Sequence, residues 1–137
     1  MIAIDTNIWI YCHDSRDVEK QLIAQQMIQT AEPIAPLWQV GCEFIAAARK
    51  LQPFGFPEEQ AWQSLEDMQA MSAAVLLPVP GLWTQCRAIQ RQHSMHFCDA
   101  IIVSTCIHYQ VKTLYSEDIP ENEDFHGLRI VNPFRKK

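Results

Sequence analysis

Ile2 to Ile4 form a short, β-branched apolar run that ends at Asp5-Thr6-Asn7, and the apolar pattern resumes at Ile8 to Cys12 as the start of a helix. The same alternation recurs along the chain. Strand-like runs follow at Val75 to Val79, which Pro78 limits to an edge or to its own end, at Lys112 to Ser116, and near Arg129 to Asn132. Helical spacing fills the intervals. Val18, Leu22, Ile23, Met27 and Ile28 place a helix over Asp17 to Thr30, stopped by Pro33 and Pro36. Val40, Phe44, Ile45, Ala48 and Leu51 form an apolar stripe on a helix from about Leu37 to Leu51. Pro57-Glu58-Glu59 opens another with proline and acids in its first turn, as the helix dipole favours. Two more are expected over Leu82 to His93 and Asp99 to Gln110. Strands separated by helices imply an α/β fold with a mostly parallel sheet covered on both faces.

With 137 residues and 48% hydrophobic content, the chain has the size of one domain and can bury a continuous core without staples, so a single domain is expected over 1–137. No apolar stretch approaches the roughly 20 residues that span a bilayer. Met1 leads straight into the first strand-like run with no basic leader, and a cytoplasmic location is the expectation. Cys12, Cys42, Cys86, Cys98 and Cys106 are odd in number and lack C-x-x-C spacing, which predicts free, buried thiols. A net charge of −5 argues against a broad basic surface for nucleic acid. A phosphate-bearing substrate would have to be drawn in by bound cations or by local basic residues. The basic end Arg135, Lys136, Lys137 is better read as a solvated tail.

Acidic residues stand at the joints of this pattern. Asp5 and Asp118 directly follow strand-like runs, and ligands of open α/β sheets collect beyond the C-terminal ends of the strands. Asp99 lies at the start of its helix, where backbone amides favour negative charge. Glu43 sits beside the apolar stripe of its helix and must project inward to reach the same crevice. A carboxylate beside an apolar segment is costly unless paired, and several together repel or share protons. A divalent cation removes both problems, and oxygen-only ligands suit Mg²⁺ or Mn²⁺.

These residues, in this order, resemble the PIN-domain nucleases, and among them the single-domain VapC-type toxins. MIAIDTNIWIY is similar to the family's opening strand, WQVGCEFIAAARKL to its second-acid helix, HFCDAIIVSTCIHYQVKTLYSED to its third-acid helix and following strand, and LRIVNPF to the closing strand of one subgroup. No single motif is specific; the ordered set is. The resemblance implies a three-layer sandwich with Asp5, Glu43, Asp99 and Asp118 as catalytic and metal-binding residues, supported by Thr6, Asn7 and Ser116. It implies Mg²⁺- or Mn²⁺-dependent hydrolysis of an RNA phosphodiester, a small antitoxin partner and a homodimer. Glu117 is the alternative fourth acid, since adjacent residues of an extended chain point to opposite sides. Asp118 is favoured, with Ser116 as its hydrogen-bonding neighbour. An apolar antitoxin helix would lie between the helices at Asp17 to Thr30 and Leu37 to Leu51, near Trp38.

Other readings compete. A non-catalytic PIN-like module that binds RNA or protein is the alternative function, although such a module has no reason to keep all four acids. His93, His96 and Cys98 could suggest zinc, but no second ligand pair with finger-like spacing follows. Asp5-Thr6-Asn7 is also similar to phosphatases with an aspartyl nucleophile; these place a second aspartate where Asn7 stands. His13 is expected at the surface, Glu121, Glu123 and Asp124 as solvated acids, and Trp9, Trp38, Trp62 and Trp83 as core or partner-contact residues. Arg49 and Lys50 read as solvated charge.

Overall fold

The computed structural model describes residues 1–29, 32–72 and 74–135; Lys136 and Lys137 of the basic end, and Thr30 at the end of the expected second helix, lie outside them. Three strands, β1 (Ile2–Ile4), β2 (Thr113–Tyr115) and β3 (Arg129–Val131), pair in parallel in the order β1-β2-β3. The pairing register sets Ile4 beside Tyr115 and Tyr115 beside Val131. Every residue of β1 is buried, so this short strand reads as a continuous apolar run rather than an alternation. Six helices flank the sheet: α1 (Thr6–Tyr11), α2 (Val18–Ile28), α3 (Trp38–Ala48), α4 (Glu58–Ala70), α5 (Leu82–His93) and α6 (Phe97–His108).

Local chemistry fixes where these helices begin and end. Asp17 caps α2 by accepting from the Lys20 amide. Pro57 and two glutamates open α4, as the sequence predicts. The expected helix to Leu51 stops as α-helix at Ala48 and tightens into a 3-10 turn over Arg49–Phe54, because Pro53 has no N–H with which to close a helical bond. Ser94 ends α5 in the left-handed region, at φ 51°. The following α6 is the most enclosed helix, burying Ala100, Ile102, Val103, Ser104, Thr105 and Cys106. It packs on α5 and also on α3, while α1 packs on both α2 and α3.

One expected strand is not formed. Val75 to Val79 is reduced to a single parallel bridge between Leu76 and Leu37, closed by Leu76 N–H to Pro36 O at 2.8 Å and Trp38 N–H to Leu76 O at 3.0 Å. The next donor on that segment would be Pro78, and its partner turns into α3 at Trp38, so the ladder has no further rung. A second lone bridge sets Ile34 beside Ile2 on the far side of β1 from β2. The cysteines are all free, but Cys42 and Cys98 are exposed rather than buried. No helix among the described residues is long and apolar enough to cross a membrane.

Candidate carboxylate site

Asp5 is the first residue past β1 and the N-cap of α1, so the strand end and the helix start position it together. Its backbone amide continues the sheet by donating to Tyr115 O at 2.9 Å, which sets Asp5 beside Ser116. Paired residues of neighbouring parallel strands project to the same face. The Ser116 hydroxyl accordingly donates to Asp5 Oδ2 at 2.7 Å, and the Thr6 amide donates to Asp5 Oδ1 at 2.7 Å. Asp5 is only 5% exposed. Burial pushes its carboxyl up to about 6; the Ser116 and Thr6 bonds offset part of that, while Asp99 and Glu43 add repulsion.

Asp99 is the third residue of α6, whose N-cap is His96, and burial followed by repulsion from Asp118 and Glu43 raises its carboxyl above the ordinary range. The four acids therefore feel one another: Asp5 feels Asp99 and Glu43, and Asp99 feels Asp118 and Glu43. Glu43 reaches the cluster from α3, its Oε1 accepting from the Thr6 hydroxyl at 3.1 Å and its Oε2 from Gln39 one turn earlier at 2.8 Å. Asp118 Oδ2 accepts from Asn7 Nδ2 at 2.6 Å. The basic residues in the described ion pairs are taken elsewhere, Arg16 by Asp14, Lys20 by Glu117, Lys112 by Glu32 and Arg135 by Glu121.

Ser116 is a hydrogen-bonding neighbour of Asp118, as expected, but through the Asp118 backbone amide. Its hydroxyl serves Asp5 rather than the Asp118 carboxylate, and instead accepts from the backbone amides of Asp118 and Ile119, each at 3.3 Å. One buried oxygen thus ties the end of β1 to the turn that carries Asp118. Ser116→Ala should leave those groups without a partner and cost roughly 1–3 kcal/mol. Urea denaturation measures this, and an unchanged midpoint would mean the amides find water.

Glu117 points away from the cluster. It accepts from Tyr11 Oη at 2.8 Å and pairs with Lys20 Nζ at 2.5 Å. Glu121 and Glu123, expected in solvent, are also engaged: Glu121 with the Asn132 amide and Arg135, Glu123 with His93. His93 also packs against the Phe125 ring and is thereby drawn away from any zinc role with His96 and Cys98. His13 is half-buried, stacking on Phe56 at 4.3 Å, and burial lowers its pKa. Trp9 is buried and donates to Ile4 O, while Trp38, Trp62 and Trp83 are exposed. Arg49 and Lys50 are exposed at the end of α3. The Gln39 contact escaped the sequence reading although its spacing, four residues before Glu43, was there to be read.

A family model described as the PIN domain matches residues 2–119. The chain belongs to the PIN-domain family. Its fold is shared with a toxin-antitoxin complex from Klebsiella pneumoniae at TM-score 0.70 and 18% identity, covering 99% of this chain and 100% of that one. FitAcB from Neisseria gonorrhoeae superposes at TM-score 0.71 and 19% identity, again over 99% of this chain and 100% of that one. VapC20 of Mycobacterium tuberculosis, described as a Sarcin-Ricin loop cleaving toxin, superposes at TM-score 0.64 and 15% identity over 86% of this chain and 90% of that one. No curated protein sequence matches the chain.

The donor set of this PIN domain suits a hard divalent cation: carboxylate oxygens, partly desolvated and mutually repelling. Among the described residues, no three His, Cys, Asp or Glu side chains already stand as a finished ion cage. Asp5, Glu43 and Asp118 instead spend oxygens on Ser116, Thr6, Gln39 and Asn7.

Proposed function

We propose that this chain is a Mg²⁺- or Mn²⁺-dependent endoribonuclease and the toxin of a toxin-antitoxin pair. The observation that carries the reading is the gathering of Asp5, Glu43, Asp99 and Asp118 in a PIN-domain chain, with Asp5 and Asp99 held above the ordinary carboxylate range first by burial and then by neighbouring acids. Asp5, Glu43 and Asp99 would hold the principal ion, and Asp118 would complete a second position or orient water. A bound divalent ion supplies Lewis-acid stabilisation of phosphoryl oxygens and lowers the pKa of a bound water. Ser116 and Thr6 orient Asp5 and Glu43, while Gln39 holds the second oxygen of Glu43 and Asn7 holds Oδ2 of Asp118. These acids hold and orient, and none is placed as a nucleophile.

Partners follow from the same likeness. Solved structures sharing this fold include toxin-antitoxin complexes, which supports an antitoxin for this chain. The seat expected for its apolar helix is the groove between α2 and α3, both of which pack on α1. A second candidate seat is an apolar groove of about 370 Å³ between α3 and α4, lined by Leu37, Trp38, Ile45, Trp62, Leu65 and Met68. Trp38 and Trp62, 52% and 49% exposed, would anchor an amphipathic helix there. A homodimer is the accompanying proposal, read by light scattering of the purified chain.

The direct test incubates the protein with a mixed RNA pool and Mn²⁺. RNA should be cleaved, and chelation should stop it. Asp118→Asn should lose far more of this activity than Glu117→Gln at saturating Mn²⁺, because Glu117 faces Lys20 rather than the cluster. The reverse ranking would reassign the fourth acid. RNA bound but never cut, under any divalent ion, would favour the binding-module reading.

A further inference from the structure

Asp118 stands in a difficult place. It is exposed, its carboxylate takes one side-chain hydrogen bond, from Asn7, and Asp99 repels it. The connection that carries it, from Ser116 to Leu128, joins two parallel strands without a helix. Something must hold this turn against the repulsion. Its backbone rests on the Ser116 hydroxyl at Asp118 and Ile119, but a shared hydroxyl at 3.3 Å is a weak anchor.

A second anchor is one residue away. Glu117 is clasped by Lys20 of α2 at 2.5 Å and by Tyr11 of α1 at 2.8 Å. Lys20 is itself confined: its Nζ donates to Tyr11 Oη at 3.3 Å and lies over the rings of Tyr11 at 4.7 Å and Phe134 at 5.3 Å. Phe134 meets Tyr11 edge-on at 5.2 Å, so two rings flank the ammonium, whose side chain stays 32% exposed. Residues 117–119 form a bend folded over the Ser116 hydroxyl, so holding the Glu117 side chain against α1 and α2 restricts how the bend can turn and with it where Asp118 projects.

We propose that Lys20 is a positioning residue, a latch that sets Asp118 toward the carboxylate cluster by holding Glu117 and never touches ion or substrate itself. The inference rests on the ion-site reading above. It makes a prediction opposite in sign to simple electrostatics. Removing a cation from the neighbourhood of a cation site strengthens ion binding through space; removing a latch weakens it.

Lys20→Gln is the decisive variant, with Lys20→Arg as the conservative control. Two measurements are made on the full chain: the Mn²⁺ concentration giving half the rise in melting temperature, and amide exchange of the segment 116–124 by mass spectrometry. The latch predicts that Lys20→Gln raises the Mn²⁺ midpoint about tenfold, the low end of what outer partners of metal ligands contribute. It also predicts faster exchange at Asp118 and Ile119, and near wild-type behaviour for Lys20→Arg. Cleavage at saturating Mn²⁺ should approach wild type, separating positioning from chemistry. A Lys20→Gln protein that binds Mn²⁺ as tightly as wild type or more tightly overturns the latch. A wild type that shows no response to Mn²⁺ overturns the ion-site reading instead, and the exchange measurement then decides the latch alone: faster exchange upholds it and unchanged exchange overturns it.

Discussion

Asp5→Asn is expected to abolish RNA cleavage while making the metal-free protein more stable. The two effects share one cause. Asp5 is buried at the end of β1 with its carboxyl pushed up from 3.8 to about 6, so at neutral pH it is ionised against an unfavourable environment. At 1.36 kcal/mol per pKa unit, that amounts to about 3 kcal/mol of destabilisation. Asparagine removes the charge and keeps a carbonyl for the Thr6 amide, but gives Ser116 a poorer partner, so the net gain is smaller, about 1–2 kcal/mol. The melting temperature in chelator at pH 7.5 should rise by roughly 2–6 °C. Catalysis moves the other way, because losing a charged inner ligand costs several kcal/mol of transition-state stabilisation, a fall of about a hundredfold or more.

The sign of the pH dependence follows. Between 3.8 and about 6 the folded protein binds more protons at Asp5 than the unfolded chain does, so this contribution to stability falls as pH rises through that window and is fully unfavourable above it. The advantage of Asp5→Asn over wild type should therefore grow from pH 4 to pH 7 and then level off. Thermal melts across that range check it. A difference that does not vary with pH would show that Asp5 is not the group responsible.

The second large effect is ion-linked stabilisation of the wild type. A cation that binds the folded cluster and not the unfolded chain stabilises by mass action, about 2.7 kcal/mol at a hundred times its dissociation constant. Millimolar Mn²⁺ should thus raise the melting temperature by several degrees and relieve the repulsion among Asp5, Glu43, Asp99 and Asp118. An Asp5→Asn, Asp99→Asn double variant should respond little. Identical responses from the two proteins would place the ion elsewhere.

The parts of this fold that can be read from sequence are those whose physics is local. β1 announces itself through a β-branched run, and α4 through proline and acids at its start. The acids can be picked out because each sits at a joint between apolar runs or beside an apolar stripe, where a charge needs a reason. What cannot be read is who holds them. Glu121 and Glu123 look solvated until Arg135 and His93 are brought to them. Ser116 lies two residues from Asp118 yet serves Asp5, because strand register decides its neighbour. Val75 to Val79 fails as a strand for lack of a donor at Pro78 and of an extended partner beyond Leu37, and only the first of these is visible in the sequence.

The bond between Ser116 and Asp5 spans 111 residues of chain, and Glu117 reaches back 97 residues to Lys20. Contacts so distant in sequence require a large loop to close before they give anything back, which slows folding relative to helical bundles of similar size. For a chain made from its N-terminus, the first acid has its neighbouring Thr6 amide at once but waits 111 residues for Ser116. The cluster cannot assemble until Ser116 and Asp118 have emerged from the ribosome. The proposed cleavage activity would accordingly be withheld from the ribosomal and messenger RNA around the nascent chain until that late segment is made.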